Sequence, residues 1–273
     1  MPMKGFSYNG ECIDFADVRD YGGWGISLRP IVTRMADAEL RRNDDVLHVS
    51  DLIKSPRQYW LLRRHEIYLP YESLVDRYIG TALHNDLARA DVCAHEMTLA
   101  SDEIEGVIVE GTIDYVDYTT STIVDYKTCK FYLPGWIING RKDKKTGELI
   151  AGLENWKPEI IEQLNIYRWL CACNNIEVKQ MLVCFVCKDA GSKDSLCEIE
   201  VPIISNVETL VTNRIVSIQV AEYVDDEYLP DCPDEIRWGG DLCCKDYCDV
   251  RGFCDYAKSL TKPQSKVEKE VDF

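Results

Sequence analysis

The segment IVDYKTCK, residues 123–130, places an acid and a base two positions apart. Side chains alternate between the two faces of a β-strand, so Asp125 and Lys127 would project from the same face. Such a pair is frequently a surface salt bridge that contributes little to stability. Beside a second carboxylate, the same pair could instead bind a divalent cation and a phosphate, and the chemistry would then be metal-dependent phosphodiester hydrolysis.

Two further residues could complete a metal site with this pair. Asp114 lies in the run before the segment, and His84 lies in GTALH, at the start of a helical pattern. Carboxylate oxygens and a neutral imidazole suit Mg²⁺ or Mn²⁺. Lys127 would add a positive charge that stabilises the transition state or holds the attacking water. Taken singly, a helical His or a hairpin Asp is more often structural.

The acidic residues are expected on the two arms of one β-hairpin. The run EGVIVEGTIDYVDYTTSTIVDYKTCK is rich in Val, Ile, Thr and Tyr, and the polar TTS interrupts it. If Thr119 and Thr120 form the tip, Asp114 is paired with Asp125. Cross-strand partners have Cβ atoms about 4.5–5.5 Å apart, so two carboxylates placed there require a cation between them.

Two helices are expected before the hairpin. HVSDLIKSPRQYWLLRRHE predicts a helix with Ser50 or Asp51 as its N-cap. GTALHNDLARADVCAHEM predicts a second helix, with an apolar stripe formed by Leu83, Leu87 and Ala90. Residues 1–45 show no clear period, so the sequence predicts no element there.

After the hairpin, residues 133–155 are glycine-rich and charged, which predicts a loop. KPEIIEQLNIYRWLCACNN predicts a helix that presents Gln163 and Tyr167 on one face, because they are four positions apart. Two strands and a last helix are predicted in VKQMLVCFVCK, LCEIEVPII and NVETLVTNRIVSIQVAEY. The fold class is therefore α/β with a central sheet.

Charge and composition limit the function classes. A net charge of −16 is unfavourable for a general nucleic-acid binder, which gains affinity by neutralising phosphates. Two basic patches could still contact nucleic acid locally, although solvated surface explains either one; they contain Arg57, Arg63, Arg64, Lys142, Lys144 and Lys145. The sequence lacks a long apolar run and a secretory signal, so we expect a cytoplasmic protein with no membrane contact.

The motifs GTALH, GTIDYVD, IVDYKT and QLNIY occur in the order found in RecB-type nucleases of the PD-(D/E)xK superfamily, and the chain resembles them over about residues 50–260. This resemblance implies that His84, Asp114 and Asp125 bind Mg²⁺ or Mn²⁺, together with the backbone carbonyl of Tyr126. It implies that Lys127 is catalytic. Gln163 and Tyr167 would assist there, reaching a DNA end or the active-site lysine.

The resemblance also implies a domain organisation. Residues 46–228 would form a restriction-endonuclease-like core, with a central mixed sheet flanked by helices. Residues 1–45 form an N-terminal segment of undefined structure, residues 229–260 a small cysteine-rich metal-binding element, and residues 261–273 a charged tail.

The cysteine-rich element could bind a metal. The chain has 13 cysteines, an odd number without export features, which favours reduced thiols over a disulfide framework. Cys232, Cys244, Cys248 and Cys254 are separated by 11, 3 and 5 residues and could enclose zinc or a [4Fe–4S] cluster, with Cys243 as an alternative ligand. Buried cysteines without a metal are the remaining explanation.

The resemblance extends to the iron–sulfur branch of these nucleases, which includes helicase–nucleases and CRISPR-associated exonucleases. That branch has one cysteine before the histidine motif and three near the C-terminus. KSPRQYW resembles the first segment, but Ser55 stands where its cysteine is expected. We therefore expect Cys232 to replace it, and the last spacing favours a [4Fe–4S] cluster over zinc.

Together, these features predict a metal-dependent DNA nuclease, an exonuclease in preference to an endonuclease, that acts in recombination, repair or phage DNA metabolism. The sequence lacks a G-x-x-x-x-G-K-S/T phosphate loop, so unwinding would come from a helicase or recombination partner. Two alternatives stay open. The chain could be an inactive nuclease-fold module that binds single-stranded DNA or a protein, or it could be an RNA nuclease.

Overall fold

The computed structural model describes residues 4–25, 28–40, 45–70, 74–87, 94–130, 132–142, 146–150, 158–189, 195–233, 244 and 248–261. Its helices are α1 (Arg29–Leu40), α2 (Val49–Leu52), α3 (Pro56–Arg64), α4 (Leu74–Leu87), α5 (Tyr132–Asn139), α6 (Pro158–Cys173), α7 (Val207–Ala221) and α8 (Asp255–Thr261). Its strands are β1 (Gly5–Tyr8), β2 (Glu11–Asp14), β3 (Leu47–His48), β4 (Tyr68–Pro70), β5 (Ala94–Ala100), β6 (Val109–Asp117), β7 (Thr122–Cys129), β8 (Arg141–Lys142), β9 (Leu149–Ile150), β10 (Gln180–Cys187) and β11 (Leu196–Glu200).

The centre of the fold is a mixed sheet flanked by helices, which confirms the predicted α/β class. Its strand order is β11-β10-β7-β6-β3, and β5 pairs with the other edge of β6. Strand β7 is antiparallel to β6 but parallel to β10, so the helix α6 crosses over between β7 and β10. The predicted strands and helices after residue 157 are all present.

The register of the β6–β7 hairpin is the one predicted from its sequence. Tyr115 pairs with Val124 and Asp117 with Thr122, the same register as a tip at Thr119 and Thr120. The Asp117 carboxylate accepts hydrogen bonds from the Thr119 amide at 2.8 Å and the Thr119 hydroxyl at 2.6 Å. A short polar side chain thus stabilises the turn, as expected of Asp at such a position.

The first predicted helix is divided into α2 and α3. The N-cap of α3 is Ser55, not Ser50 or Asp51, because its hydroxyl accepts the Gln58 amide while the Gln58 side chain accepts the Ser55 amide. Pro56 occupies the first helical position, where its missing N–H costs nothing. The sequence SPRQ therefore begins a new helix, α3, in the middle of the segment that was predicted to be one helix.

The second predicted helix ends earlier than expected. Helix α4 is described as far as Leu87, residues 88–93 lie outside the described residues, and residues 94–97 begin β5 instead of continuing the helix. Leu83 and Leu87 are half-buried, whereas Ala90 lies outside the described residues. The β5 segment pairs with β6 over its length, so long-range strand pairing overrides the local helical pattern there.

The predicted loop at 133–155 contains regular structure. Helix α5 occupies its first part, and β8 and β9 form a small antiparallel pair, while residues 151–155 lie outside the described residues. Pro134 and Ile137 are buried on the inner face of α5. The apolar spacing of this short helix outweighs its glycine and proline, which suggested a loop.

The N-terminal segment is also structured. Asn9 and Gly10, with φ angles of 50° and 83°, form the two-residue turn between β1 and β2. Asn-Gly is a strong signal for such a hairpin because both positions need positive φ. Strand β1 also pairs with β4, so β1, β2 and β4 form a small three-stranded sheet that is separate from the central one.

Two hydrophobic cores lie around these sheets. The main core packs the central sheet against α6 and α7, with Leu164, Leu170, Ile215, Phe185 and Ile113 nearly inaccessible. The second core combines the N-terminal elements with the cysteine-rich C-terminal segment. Within the described residues, no helix is long and apolar enough to cross a membrane.

Candidate active site and cysteine cavity

Strands β6 and β7 stop pairing at the candidate active site. Their last pair is Tyr115 and Val124, one position short of Asp114 and Asp125. Beyond it, the Tyr126 amide donates to Oδ2 of Asp114 at 2.8 Å, so a carboxylate takes the place of a main-chain acceptor. The Asp114 side chain is thereby held at the residue that follows Asp125.

Asp125 and Lys127 form an ion pair on β7. Nζ of Lys127 donates to Oδ1 of Asp125 at 2.9 Å and lies 2.8 Å from Oδ2. The contact to Oδ2 lacks hydrogen-bond geometry, so this buried oxygen accepts no hydrogen bond from the described residues. Burial raises the pKa of Asp125, and the charge of Asp114 adds to this shift, whereas Lys127 opposes it.

His84 joins α4 to this pair of strands. Its Nδ1 lies 2.9 Å from Oδ1 of Asp114, so each Asp114 oxygen has a partner on a different element. The hydrogen bond to Asp114 raises the pKa of His84, against the opposing effect of burial. The helix that carries GTALH is thus placed directly over the separating strands.

Gln163 and Tyr167 approach the site from α6. Nε2 of Gln163 donates to the Tyr167 hydroxyl at 2.8 Å, as their spacing predicts. Burial raises the pKa of Tyr167, and the charges of Asp125 and Asp114 raise it further. A Cβ added to Gly111 would lie 2.8 Å from Cε1 of Tyr167, so this glycine lets α6 approach β6 closely.

These residues suit a hard divalent cation by their chemistry. Two carboxylates, an imidazole and a nearby main-chain carbonyl form the donor set that Mg²⁺ or Mn²⁺ prefers, and one buried carboxylate oxygen accepts no hydrogen bond. Within the described part of the chain, no three Asp, Glu, His or Cys side chains converge as ligands on one point. The carboxylates are instead paired with His84 and Lys127.

The predicted cysteine ligands that the structure describes line one small cavity. Cys232, Cys244, Cys248 and Cys254 all contribute to its wall, although they span 23 residues of sequence. Three of them are buried, and Cys232 is half-buried. Cys243 lies outside the described residues. The fold therefore brings four thiols to the wall of one cavity, although no three of them converge as metal ligands on one point within the described part of the chain.

The first turn of α3 closes the same cavity. Oγ of Ser55 lies 3.0 Å from Sγ of Cys232, and Nε2 of Gln58 lies 3.7 Å from Sγ of Cys248. Ser55, which stands where the family's first cysteine ligand is expected, is thus in contact with Cys232, the residue expected to take over as that ligand. The cavity therefore extends beyond the predicted element of residues 229–260, because Cys232 also contacts Ser55, which lies 177 positions earlier in the chain.

Arg57 and Arg64 are bonded within the protein. Arg57 is 7% exposed and donates to the carbonyls of Leu229 and Pro230. Arg64 donates to main-chain carbonyls at the end of α7 and, at 2.8 Å, to the carboxylate of Asp226. Contact with nucleic acid is therefore not expected from either guanidinium, in contrast to the prediction from sequence.

The other predicted cations differ from these two. Arg63 is half-buried, with its guanidinium 4.7 Å from the centre of the Tyr59 ring. Lys142 is exposed on β8, whereas Lys144 and Lys145 lie outside the described residues. Lys142 thus has the exposure that a phosphate contact needs.

Sequence reasoning misses an exposed aromatic pair that follows the candidate active-site strand. Tyr132 and Trp136 on α5 are 49% and 38% exposed, with ring centres 4.5 Å apart. Tyr132 is five positions after Lys127. Their four-residue spacing after IVDYKT is the signal that could have identified them.

No protein-family model matches the chain, and no curated protein matches it. Among solved structures, the chain is similar to the crystal structure of SSO0001, with 15% identity over 85% of this chain and 97% of that one, and a TM-score of 0.49. An alkaline exonuclease (LHK-Exo) from Laribacter hongkongensis is 14% identical over 66% of this chain and 91% of its own, with a TM-score of 0.42. A phage-related exonuclease from Haemophilus somnus 129PT is 11% identical over 79% and 93%, with a TM-score of 0.36.

Proposed function

We propose that this protein is a divalent-metal-dependent nuclease that hydrolyses phosphodiester bonds in DNA. One observation carries the proposal: Asp114, Asp125, Lys127 and His84 meet where the β6–β7 ladder ends. The four residues come from three elements, α4, β6 and β7. A surface salt bridge between Asp125 and Lys127 would involve β7 alone. The proposed exonuclease mode, the role in recombination, repair or phage DNA metabolism, and a helicase partner rest only on the motif resemblance.

In the proposed site, His84, Asp114, Asp125 and the carbonyl of Tyr126 would hold Mg²⁺ or Mn²⁺. Such a cation polarises the phosphoryl oxygen and lowers the pKa of an attacking water. The buried Oδ2 of Asp125 accepts no hydrogen bond from the described residues, so a metal cation there would have to displace only the Lys127 ammonium, which lies 2.8 Å away. Asp114 would keep its link to the Tyr126 amide, which orients its carboxylate.

Lys127 would act on the phosphate. Its side chain is 30% exposed, whereas that of Asp125 is 4% exposed, so the ammonium group reaches the surface of the site. There it would stabilise the negative charge that grows on the phosphoryl oxygens, or hold the water. Gln163 and Tyr167 would position these groups, because the Tyr167 hydroxyl is buried near both carboxylates.

The DNA strand would continue over α5. Exposed aromatic rings bind nucleobases by stacking, without sequence preference, and Tyr132 and Trp136 follow the active-site strand. Lys130 and Lys142 are exposed in the same part of the chain. A local patch of this kind makes nucleic-acid binding compatible with the net charge of −16.

We also propose that the cysteine cavity binds a [4Fe–4S] cluster or, alternatively, zinc. The support is that four cysteines line one cavity. Metal binding would draw their thiols together, since no three ligand side chains converge on one point among the described residues. A shell of four thiolates has no open position, so the metal would stabilise the fold and take no part in hydrolysis. Because the cavity lies in the second core, the metal would join the N-terminal and C-terminal segments.

Cleavage of end-labelled DNA tests the nuclease proposal. Purified protein with Mg²⁺ or Mn²⁺ should degrade linear single- or double-stranded DNA and should stop in EDTA. Lys127→Ala should lower the rate by about 100-fold or more while the protein stays folded. Lys179→Ala is the matched control, because Lys179 is an exposed lysine whose ammonium forms a surface ion pair with Glu177 at 3.3 Å. Full activity of Lys127→Ala would contradict the assignment, and faster digestion of RNA than DNA would favour the RNA nuclease.

A binding module is the second candidate. The observation in its favour is that the carboxylates of Asp114 and Asp125 are paired with the basic side chains His84 and Lys127 and do not converge with a third described ligand. Calorimetric titration with Mn²⁺ separates the two candidates. An absence of Mn²⁺ binding, combined with DNA binding that is never followed by cleavage, would support the module.

A further inference from the structure

We infer that the first turn of α3 is the outer shell of the cysteine cavity: Ser55 and Gln58 donate hydrogen bonds to its sulfurs, and Arg57 fixes the position of Cys232. The inference rests on the metal site proposed above and assigns functions to residues outside its ligand set. It makes Ser55, Arg57 and Gln58 positioning residues for the bound metal.

The Ser55 hydroxyl can serve the helix and the sulfur at the same time. It is fully buried and accepts the Gln58 amide at 3.1 Å through an oxygen lone pair. Its single proton has two acceptors within reach, Sγ of Cys232 at 3.0 Å and Oε1 of Gln58 at 3.4 Å. When Cys232 is a thiolate, the shorter and charged acceptor takes the proton.

The Gln58 side chain is oriented by the same capping box. Its Oε1 accepts the Ser55 amide at 3.2 Å, which leaves the Nε2 group on the side of the cavity. Nε2 lies 3.7 Å from Sγ of Cys248, within the range of an N–H···S hydrogen bond. The motif that starts α3 thus aims two donors at two different sulfurs.

Arg57 holds the chain segment that leads to Cys232. Its guanidinium donates to the carbonyls of Leu229 and Pro230 and lies 3.5 Å from the carboxylate of Asp231. These three residues directly precede Cys232, so the position of its thiol depends on Arg57. The contact also places a buried cation in the wall of the cavity.

The charges of this arrangement fit an anionic metal centre. Four thiolates around Zn²⁺ or around a [4Fe–4S]²⁺ cluster carry a net charge of about −2. The amino end of α3 bears a partial positive charge, and Arg57 adds a full one. Donors and cations around a thiolate shell lower its basicity and slow the loss of the metal.

Two substitutions keep the helix start but remove the donors. Gln58→Glu retains the oxygen that caps the helix, since Glu is favoured at this position of a capping box, but it has no N–H for Cys248. Ser55→Asp retains an N-cap oxygen but has no proton for Cys232. Ser55→Thr, which keeps both functions, is the control.

The test is metal retention by the full-length protein purified without oxygen. Bound iron and zinc are measured by elemental analysis during incubation with EDTA, and circular dichroism of the apo-proteins shows that the helices are retained. We expect Gln58→Glu and Ser55→Asp to lose metal about 10–100-fold faster than wild type, while Ser55→Thr behaves like wild type. Arg57→Lys should also accelerate the loss, because one ammonium group cannot reach both carbonyls.

Two outcomes would overturn the inference, and they are distinguishable. If Cys232→Ser releases metal quickly but both donor variants retain it like wild type, the turn of α3 only packs against a real metal site. If wild-type protein contains no iron or zinc, the proposed metal site is wrong, and the inference about the first turn of α3 is then wrong as well. The nuclease proposal is unaffected by either result.

Discussion

Nζ of Lys127 lies 2.9 Å and 2.8 Å from the two carboxylate oxygens of Asp125, a residue that is 3% exposed. Burying a carboxylate is costly unless a partner compensates for the lost hydration. Here compensation is incomplete, because burial raises the pKa of Asp125 despite the neighbouring lysine. A residue that destabilises the resting fold in this way is expected at a functional position.

The substitution Asp125→Asn should therefore separate stability from activity. The amide removes the buried charge at nearly constant shape, so we expect an unchanged or higher Tm. Cleavage should fall by about 100-fold or more, because a metal ligand is lost. Thermal unfolding in EDTA and digestion of labelled DNA measure the two effects. A clear drop in Tm would show that the ion pair stabilises the fold more than burial of the charge destabilises it.

The contact between Gly111 and Tyr167 gives a second prediction. In Gly111→Ala, the new Cβ would lie 2.7 Å from Val49 and 2.8 Å from Tyr167, so α6 must shift away from β6. We expect a loss of about 1–3 kcal/mol in unfolding free energy, measured by urea denaturation, and slower cleavage as Tyr167 moves. The control is Gly135→Ala on α5, where nothing lies within 4 Å and helix propensity favours alanine. Equal stabilities of the two variants would contradict the close approach.

Arg64 provides a test of a structural role against a nucleic-acid contact. Its guanidinium donates to carbonyls of Ala221, Glu222 and Val224 and to Asp226, so Arg64→Ala leaves the end of α7 without these bonds. We expect a loss of about 1–3 kcal/mol in unfolding free energy. DNA affinity should keep its wild-type salt dependence, because no phosphate contact is removed. If the DNA affinity of Arg64→Ala depended less on salt concentration than that of wild type, Arg64 would contact a phosphate after all.

Removal of an exposed aromatic ring tests the proposed DNA surface on α5. In a Lys127→Ala background, Tyr132→Ala should weaken binding of a fluorescent single-stranded oligonucleotide by about 5-fold or more, as expected for one lost stacking contact. Fluorescence anisotropy measures the affinity. Tyr223→Ala is the control, because Tyr223 is 87% exposed on a different part of the fold. Equal effects of the two substitutions would remove α5 from the proposed interface.

Much of the site follows from local patterns. The hairpin register depends on strand alternation and a short polar turn, which are encoded within residues 109–129, and Asp117 supports that turn. The pairing of Gln163 with Tyr167 follows from helical periodicity. The Asn9–Gly10 turn and the capping box at Ser55 also depend on local sequence, yet neither was predicted. The strands beside the turn are only four residues long. The apolar pattern at residues 48–66 continues across the boundary between α2 and α3.

The sequence by itself determined which residues can do chemistry and which of them share a strand or a helix face, because these relations span only a few positions. Only the tertiary structure decided that Asp114 bonds to the Tyr126 amide, that Arg57 is buried, and that Ser55 meets Cys232. The last contact joins positions 177 residues apart. Such a contact depends on how the second core brings N-terminal and C-terminal segments together, and packing is a property of the whole chain.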